Sequence, residues 1–177
     1  GCDGGHELIG EPPLGSAPIF DSAATASVLE GDAEVLAIEV SDPDGDVPSV
    51  SIVEGDDASR FSLTGQAKLV FTSAPDFEAP LSVAGGNVYS ITLSASDGEN
   101  ATTQKVTVTV MDALEGRVID GPVSGAAVCI DTDGNLRCGS NEVSGLSDEN
   151  GYFRLPLATP QSNVVPKLLS IGGTDTV

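Results

Sequence analysis

The sequence predicts an all-β protein made of two Greek-key β-sandwiches of immunoglobulin-like type in tandem, the second incomplete. Three observations lead there. Apolar residues recur with period two, and no window shows a convincing 3.6-residue period. Gly, Pro, Asp and Ser punctuate the chain at short intervals. Seven short strand patterns fit between residues 26 and 111.

Taken in order, strand A is expected at about 26–30 and is closed by Gly31-Asp32. Strand B (34–41) carries Leu36, Ile38 and Val40 on one face and runs into the turn SDPDGD (41–46). Strand C is expected at 48–53, D at 60–64 with Phe61 and Leu63, and E at 67–72 with Leu69 and Phe71. In strand F (87–96), Tyr89, Ile91, Leu93 and Ala95 alternate with Ser90, Thr92 and Ser94. In strand G (102–111), Val106, Val108 and Val110 alternate with Thr107 and Thr109. A second unit begins near Glu115, with strands expected at 116–119, 126–130 and 152–157 and turns at DGP (120–122) and ENG (149–151). It breaks off at GGTDTV, so a longer protein is expected. The chain thus divides into an N-terminal tether (1–17), a first sandwich (18–113) and a partial second one (114–177).

Composition narrows the function. Asp plus Glu number 27 against 7 Lys plus Arg, a formal charge of −20. That excludes a nucleic-acid partner, which needs basic patches to displace counterions, and argues equally against an anionic membrane surface. It favours cations. With aromatics at 4% and no Trp, the core is expected to be Val, Leu, Ile and Ala. Two carboxylates in near contact repel by about 4 kcal/mol at an effective dielectric of about 20. A fold carrying several such pairs therefore calls for a resident cation.

Strand direction sorts the acids. If consecutive strands run antiparallel, strands A, E and G deliver Glu30, Asp76, Glu78 and Asp112 to one pole. Strands B and F deliver Asp42, Asp44 and Asp97 to the other. Clusters of hard oxygen donors suit Ca²⁺, which takes roughly six to eight oxygens in flexible geometry. Taken singly, each Asp is as well explained as a solvated turn former.

Residues 18–112 resemble a bacterial cadherin-like repeat. The resemblance is carried by PIF (18–20), VLEGD (28–32), SDPDGD (41–46), PDFEAP (75–80), ASDGE (95–99) and VTVTVMD (106–112), in family order. It implies calcium bound between successive repeats. Glu30 matches the acid closing the first strand, Asp76 and Glu78 the acid-x-acid pair of the lower site, and Asp112 the acid opening the linker. Asp42, Asp44 and Asp97 match the upper-site acids. The linker DALEG (112–116) lacks the Asn and second Asp that usually follow, which leaves the lower site short of ligands.

The second unit carries DTDGNLRCGSNE (131–142), which sets Asp131, Asp133, Asn135 and Glu142 at positions 1, 3, 5 and 12 of a calcium loop. Its Gly stands at position 4 rather than 6 and no helices flank it, so it is no ordinary EF-hand. A metal-free polar hairpin is the alternative. Cys129 and Cys138 sit close enough in sequence to pair; two buried thiols or a metal pair are the other readings. With GRVIDGPVSGAAV before the loop and SDENGYFRLPL after it, the unit resembles a truncated transthyretin-like or carboxypeptidase-regulatory-like β-sandwich of bacterial surface proteins. The opening GCDGG resembles the end of a lipoprotein signal, with Cys2 as the lipidated residue; a cloning remnant is the alternative.

Catalysis is not expected. The single histidine, His6, lies in the tether, and no nucleophile elbow, phosphate loop or zinc motif appears. These resemblances imply a non-enzymatic, calcium-binding adhesion or structural module of a larger bacterial lipoprotein at the cell surface. Calcium would rigidify its domain ends and linker. Its partners would be other protein domains, of itself or of a neighbouring surface protein, with a homo-oligomer or filament as one form. Membrane association would come only through a lipid on Cys2. The alternatives are an accessory region of a secreted enzyme whose catalytic domain lies beyond Val177, or a subunit of an extracellular assembly.

Overall fold

The structure, a computed structural model, describes residues 15–65, 67–118, 123–157, 167–172 and 174–175. Cys2 and His6 lie outside the described residues. The chain divides into two compact units. One runs up to Ala26 and adds Ala33–Ser73 and Leu81–Thr109. The other comprises Ser27–Asp32, Ala74–Pro80 and everything from Val110.

The first part of the chain forms β1 (Ile19–Phe20), β2 (Thr25–Leu29), β3 (Glu34–Ala37), β4 (Val40–Ser41), β5 (Ser49–Glu54), β6 (Phe61–Thr64), β7 (Lys68–Phe71), β8 (Val88–Ser96) and β9 (Ala101–Met111). One sheet has the order β2-β9-β8-β5 and another β3-β7-β6. Strand β5 pairs antiparallel with β8, not with its neighbour in sequence, while β6 and β7 pair in the other sheet. That crossing is what defines a Greek key. The amide of Thr107 donates to Ala24 O, and that of Glu30 to Met111 O, both at 3.0 Å. These contacts advance in the same sense along both segments, so the residues following β2 and β9 emerge at one end.

Strand B, expected to be continuous over 34–41, is instead split. β3 pairs with β7, whereas β4 pairs with β1, Phe20 opposite Val40. Between them Ile38 is buried and donates its amide to Ala67 O. The strand switches sheets there because a sandwich corner needs one residue to bury its side chain while the backbone turns.

The first core also differs from expectation. Leu69, Ile91, Leu93, Val106 and Val108 are fully buried, as alternation requires. The scarce aromatics nevertheless gather inside: Phe61 and Phe71 lie 4.3 Å apart between centroids, and Tyr89 meets Phe71 edge-on at 5.1 Å. Tyr89 keeps its hydroxyl satisfied by accepting the Leu81 amide at 3.0 Å.

The second part of the chain forms β10 (Ala113–Arg117), β11 (Val123–Ser124), β12 (Ala127–Asp131), β13 (Ser144–Leu146), β14 (Tyr152–Pro156), β15 (Lys167–Ile171) and β16 (Thr174–Asp175). The pairings are β10-β14, β11-β16 and β13-β12-β15. The strand expected at 116–119 begins earlier, at Ala113, leaving Asp112 as the single residue between β9 and β10. The short β11 and β13 and the strands β15 and β16 have no counterpart among the strands expected from sequence. Val128, Ile130, Phe153 and Leu155 form the core, and Leu114, Val118, Val143 and Leu157 pack against it. Gly116 lies directly beneath Phe153, where a Cβ would come within 2.5 Å of the ring.

One buried acid is purely structural. Asp57, only 2% exposed, accepts the Val83 amide (2.7 Å) and the Ser90 amide (2.8 Å). It pins the 81–88 loop to the start of β8. Asp57→Ala strands both amides and is expected to cost about 2–3 kcal/mol. Urea unfolding should show a lower midpoint with an unchanged slope; an unmoved midpoint would refute this role.

Candidate metal centres

Among the described residues two groups of acids come together, each with one carboxylate oxygen per residue and all these oxygens within 4.8 Å of one another: Glu30, Glu78 and Asp112, and Asp131, Asp133 and Glu142.

The first group lies wholly in the compact unit that comprises Ser27–Asp32, Ala74–Pro80 and the residues from Val110. Three chain segments supply it, and backbone bonds align them. Glu30 N–H donates to Met111 O at 3.0 Å, and Gly31 N–H to Pro75 O at 2.7 Å. The Glu30 carboxylate then acts as a clamp: Oε2 accepts the Phe77 amide (3.0 Å) and Oε1 the Ala113 amide (2.9 Å). The Phe77 amide, with help from Ala113, holds the Glu30 carboxyl below its ordinary range, although burial opposes this. Glu78 moves the other way. Its own amide pulls it down, but burial and the charges of Glu30 and Asp112 together push it up. Asp76 stays out of the group and caps its own turn, accepting the Ala79 amide at 3.0 Å.

The second group is organised by short turns. Asp131, 3% exposed at the end of β12, accepts the amides of Gly134 (2.7 Å) and Leu136 (3.2 Å). Burial would raise its carboxyl, yet these amides and Asp133 bring it below the ordinary value. Glu142 reaches back to accept the Thr132 and Gly139 amides, both at 2.8 Å. Asn135 sits beside Asp133, donating Nδ2–H to its Oδ2 at 2.6 Å, and accepts the Arg137 amide at 2.7 Å. Cys129 and Cys138 form a disulfide, with Cα atoms 5.6 Å apart, that closes the base of this loop. Bonded to each other, those sulfurs are not thiolate ligands for zinc.

Asp42, Asp44 and Asp97 do not gather into such a group among the described residues. Each accepts backbone amides instead. Asp42 Oδ1 accepts the Asp44 amide (2.8 Å), while Asp97 Oδ1 accepts the amides of Glu99 (2.7 Å) and Asn100 (2.6 Å). Those two amides, Asn100 first, lower the Asp97 carboxyl against a smaller effect of burial. Residues 15 and 16, assigned to the tether by sequence, join the two turns: Ser16 donates its amide to Asp44 Oδ2, and Asn100 Nδ2–H donates to Gly15 O at 2.9 Å.

Both groups offer only hard oxygen donors. That donor set fits calcium. The amides of Phe77 and Ala113, which orient Glu30, leave no mark in the sequence, because main-chain donors are common to every residue except proline.

The sequence profile of the family described as Bacterial Ig domain matches residues 15–111, more than half of the chain. No curated protein matches it significantly. Among solved structures, a crystal structure of human protocadherin-24 EC1-2 aligns at 15% identity over 93% of this chain and 100% of its own, with a TM-score of 0.46. A crystal structure of Drosophila N-cadherin EC1-3 aligns at 20% identity and a TM-score of 0.46 over 55% of this chain. The chain spans 35% of that N-cadherin structure's length.

The opposite shifts at the first group have opposite signs in stability. Glu30, lowered, adds stability above the ordinary carboxylate range and loses it as pH falls. Glu78, raised, binds its proton more readily folded than unfolded, so its ionisation subtracts stability as pH climbs past that range. In metal-free buffer, Glu78→Gln should therefore melt above the wild type at about pH 7 and level with it at about pH 4. A variant that melts lower at neutral pH would contradict this.

Proposed function

This chain belongs to the bacterial Ig domain family, and we propose that it is a non-catalytic, calcium-binding module of a bacterial surface protein that serves adhesion or assembly through contacts with other protein domains. The carrying observation is the meeting of Glu30, Glu78 and Asp112, drawn from three segments far apart in sequence, within ligand-sharing distance. An ion held there ties the end of β2, the 74–80 loop and the start of β10 together. Asp131, Asp133 and Glu142 would hold a second ion on the disulfide-closed loop, with Asn135 alongside. Asp42, Asp97 and Asp76 are assigned to turn capping in this reading, and Asp44 to holding the Ser16 amide. Cell-surface placement follows from the family and from the disulfide, which persists in oxidising compartments. Among the described residues no helix is long and apolar enough to cross a membrane. Attachment through a lipid on Cys2 belongs to the same proposal.

The test is calorimetric titration with calcium and melting with and without chelator. At a hundredfold excess over Kd, one bound ion stabilises the native state by about 2.7 kcal/mol. Asp112→Asn should remove one class of sites and Asp133→Asn the other. A melting temperature indifferent to chelator would sink the metal reading.

A further inference from the structure

We infer that Arg154 is the counter-cation of the turn that carries Glu30: paired with Asp32, it holds the end of β2 to β14 without metal, and from beside the Glu30–Glu78–Asp112 group it weakens that group's grip on divalent ions. Only the second half rests on the calcium reading.

With 7 Lys plus Arg against 27 acids, each cation's position matters. Arg154 lies on β14 directly opposite Glu115 of β10. Its Nη2 donates to Asp32 Oδ1, and its Nε lies 3.9 Å from Glu115 Oε1. Between Glu30 and Asp32 stands Gly31, in the left-handed region at φ +79°, and a Cβ there would fall 2.6 Å from Arg154 Nη1. The bare glycine thus opens a seat that lets the guanidinium lie flush against the turn carrying Glu30. That turn is closed by the Asp32 amide on Leu29 O at 3.1 Å. Asp32 first, then Glu115 and Glu30, hold the guanidinium's pKa above its ordinary value against burial. A guanidinium does not titrate away at physiological pH, so this is a permanent charge.

Two cations serving one anionic group repel each other. Each therefore contributes less when the other is present, and the coupling is reciprocal. Arg154 offsets part of the carboxylate repulsion when metal is scarce, and the same charge raises the cost of bringing in a divalent ion.

The test uses the whole chain with Arg154→Gln and Arg154→Lys. In chelator at low salt, R154Q should lower the melting temperature by about 2–4 °C. High salt should shrink that loss and R154K should recover most of it. In saturating calcium the loss should be smaller, since the ion substitutes for the lost charge. Calcium titration is done in a Glu142→Gln background, which isolates the first group. There R154Q should bind about three- to tenfold more tightly, as expected for one unit charge acting on a divalent ion across roughly 6–12 Å of largely solvated space, and R154K should match the parent. Equal losses in chelator and calcium, unchanged or weaker affinity, or an R154Q chain that does not fold even in calcium would each overturn the inference. If the E142Q chain binds no calcium, the calcium reading of the first group fails on its own. The chelator arm then decides: a loss that salt does not diminish and Lys does not rescue marks simple packing and overturns the counter-cation role.

Discussion

The organising constraint is charge repulsion between carboxylates that hydrogen bonding forces together. Glu30 cannot leave its position, because its two oxygens close the amides of the 74–80 loop and of β10. Asp112 cannot leave either, as the single residue between β9 and β10. The backbone therefore fixes two like charges at one strand end before any ligand is considered, and Glu78 completes the set. The rise of the Glu78 carboxyl and the fall of the Glu30 carboxyl are two sides of that conflict. One group is solvated by amides; the other meets the field of its neighbours. A site that gathers like charges in this way favours a cation beside it, whether an ion or a side chain.

The loop after β12 solves a similar problem by different means. Here the acids lie within twelve residues of one another, so the chain itself brings them close. Asp131 is buried yet keeps its carboxyl low because two amides point at it. The disulfide from Cys129 to Cys138 closes the loop and removes conformations from the unfolded chain rather than adding contacts to the folded one. Gly134 and Leu136, both at positive φ, make the tight bends that aim successive amides inward.

The acid knot SDPDGD shows how the same residue type acquires a different role. Asp42 caps Asp44, and Asp44 takes the Ser16 amide. Two of the three carboxylates are thereby used, one to satisfy its own turn and the other to anchor the segment leading into β1. Nothing in the sequence separates these aspartates from Asp112. The difference is what the fold sets beside them: backbone amides in one case, other carboxylates in the other.

The sequence by itself determined the all-β architecture and the approximate reach of most strands in the first sandwich. Alternating apolar residues have one stable solution, a sheet with one buried face, and Gly, Pro and Asp turns delimit it. It also marked Glu30, Glu78 and Asp112 as candidates, because strand parity is a counting rule that survives without coordinates. Tertiary structure alone decided the rest. The break between β3 and β4, the early start of β10, the separation of Asp76 from its neighbours and the seat of Arg154 against Gly31 all depend on pairings between distant residues. Periodicity encodes which face a side chain takes; it carries no information about which strand lies beside it. A guanidinium that finds a turn 122 residues away is therefore invisible until the sheets are assembled.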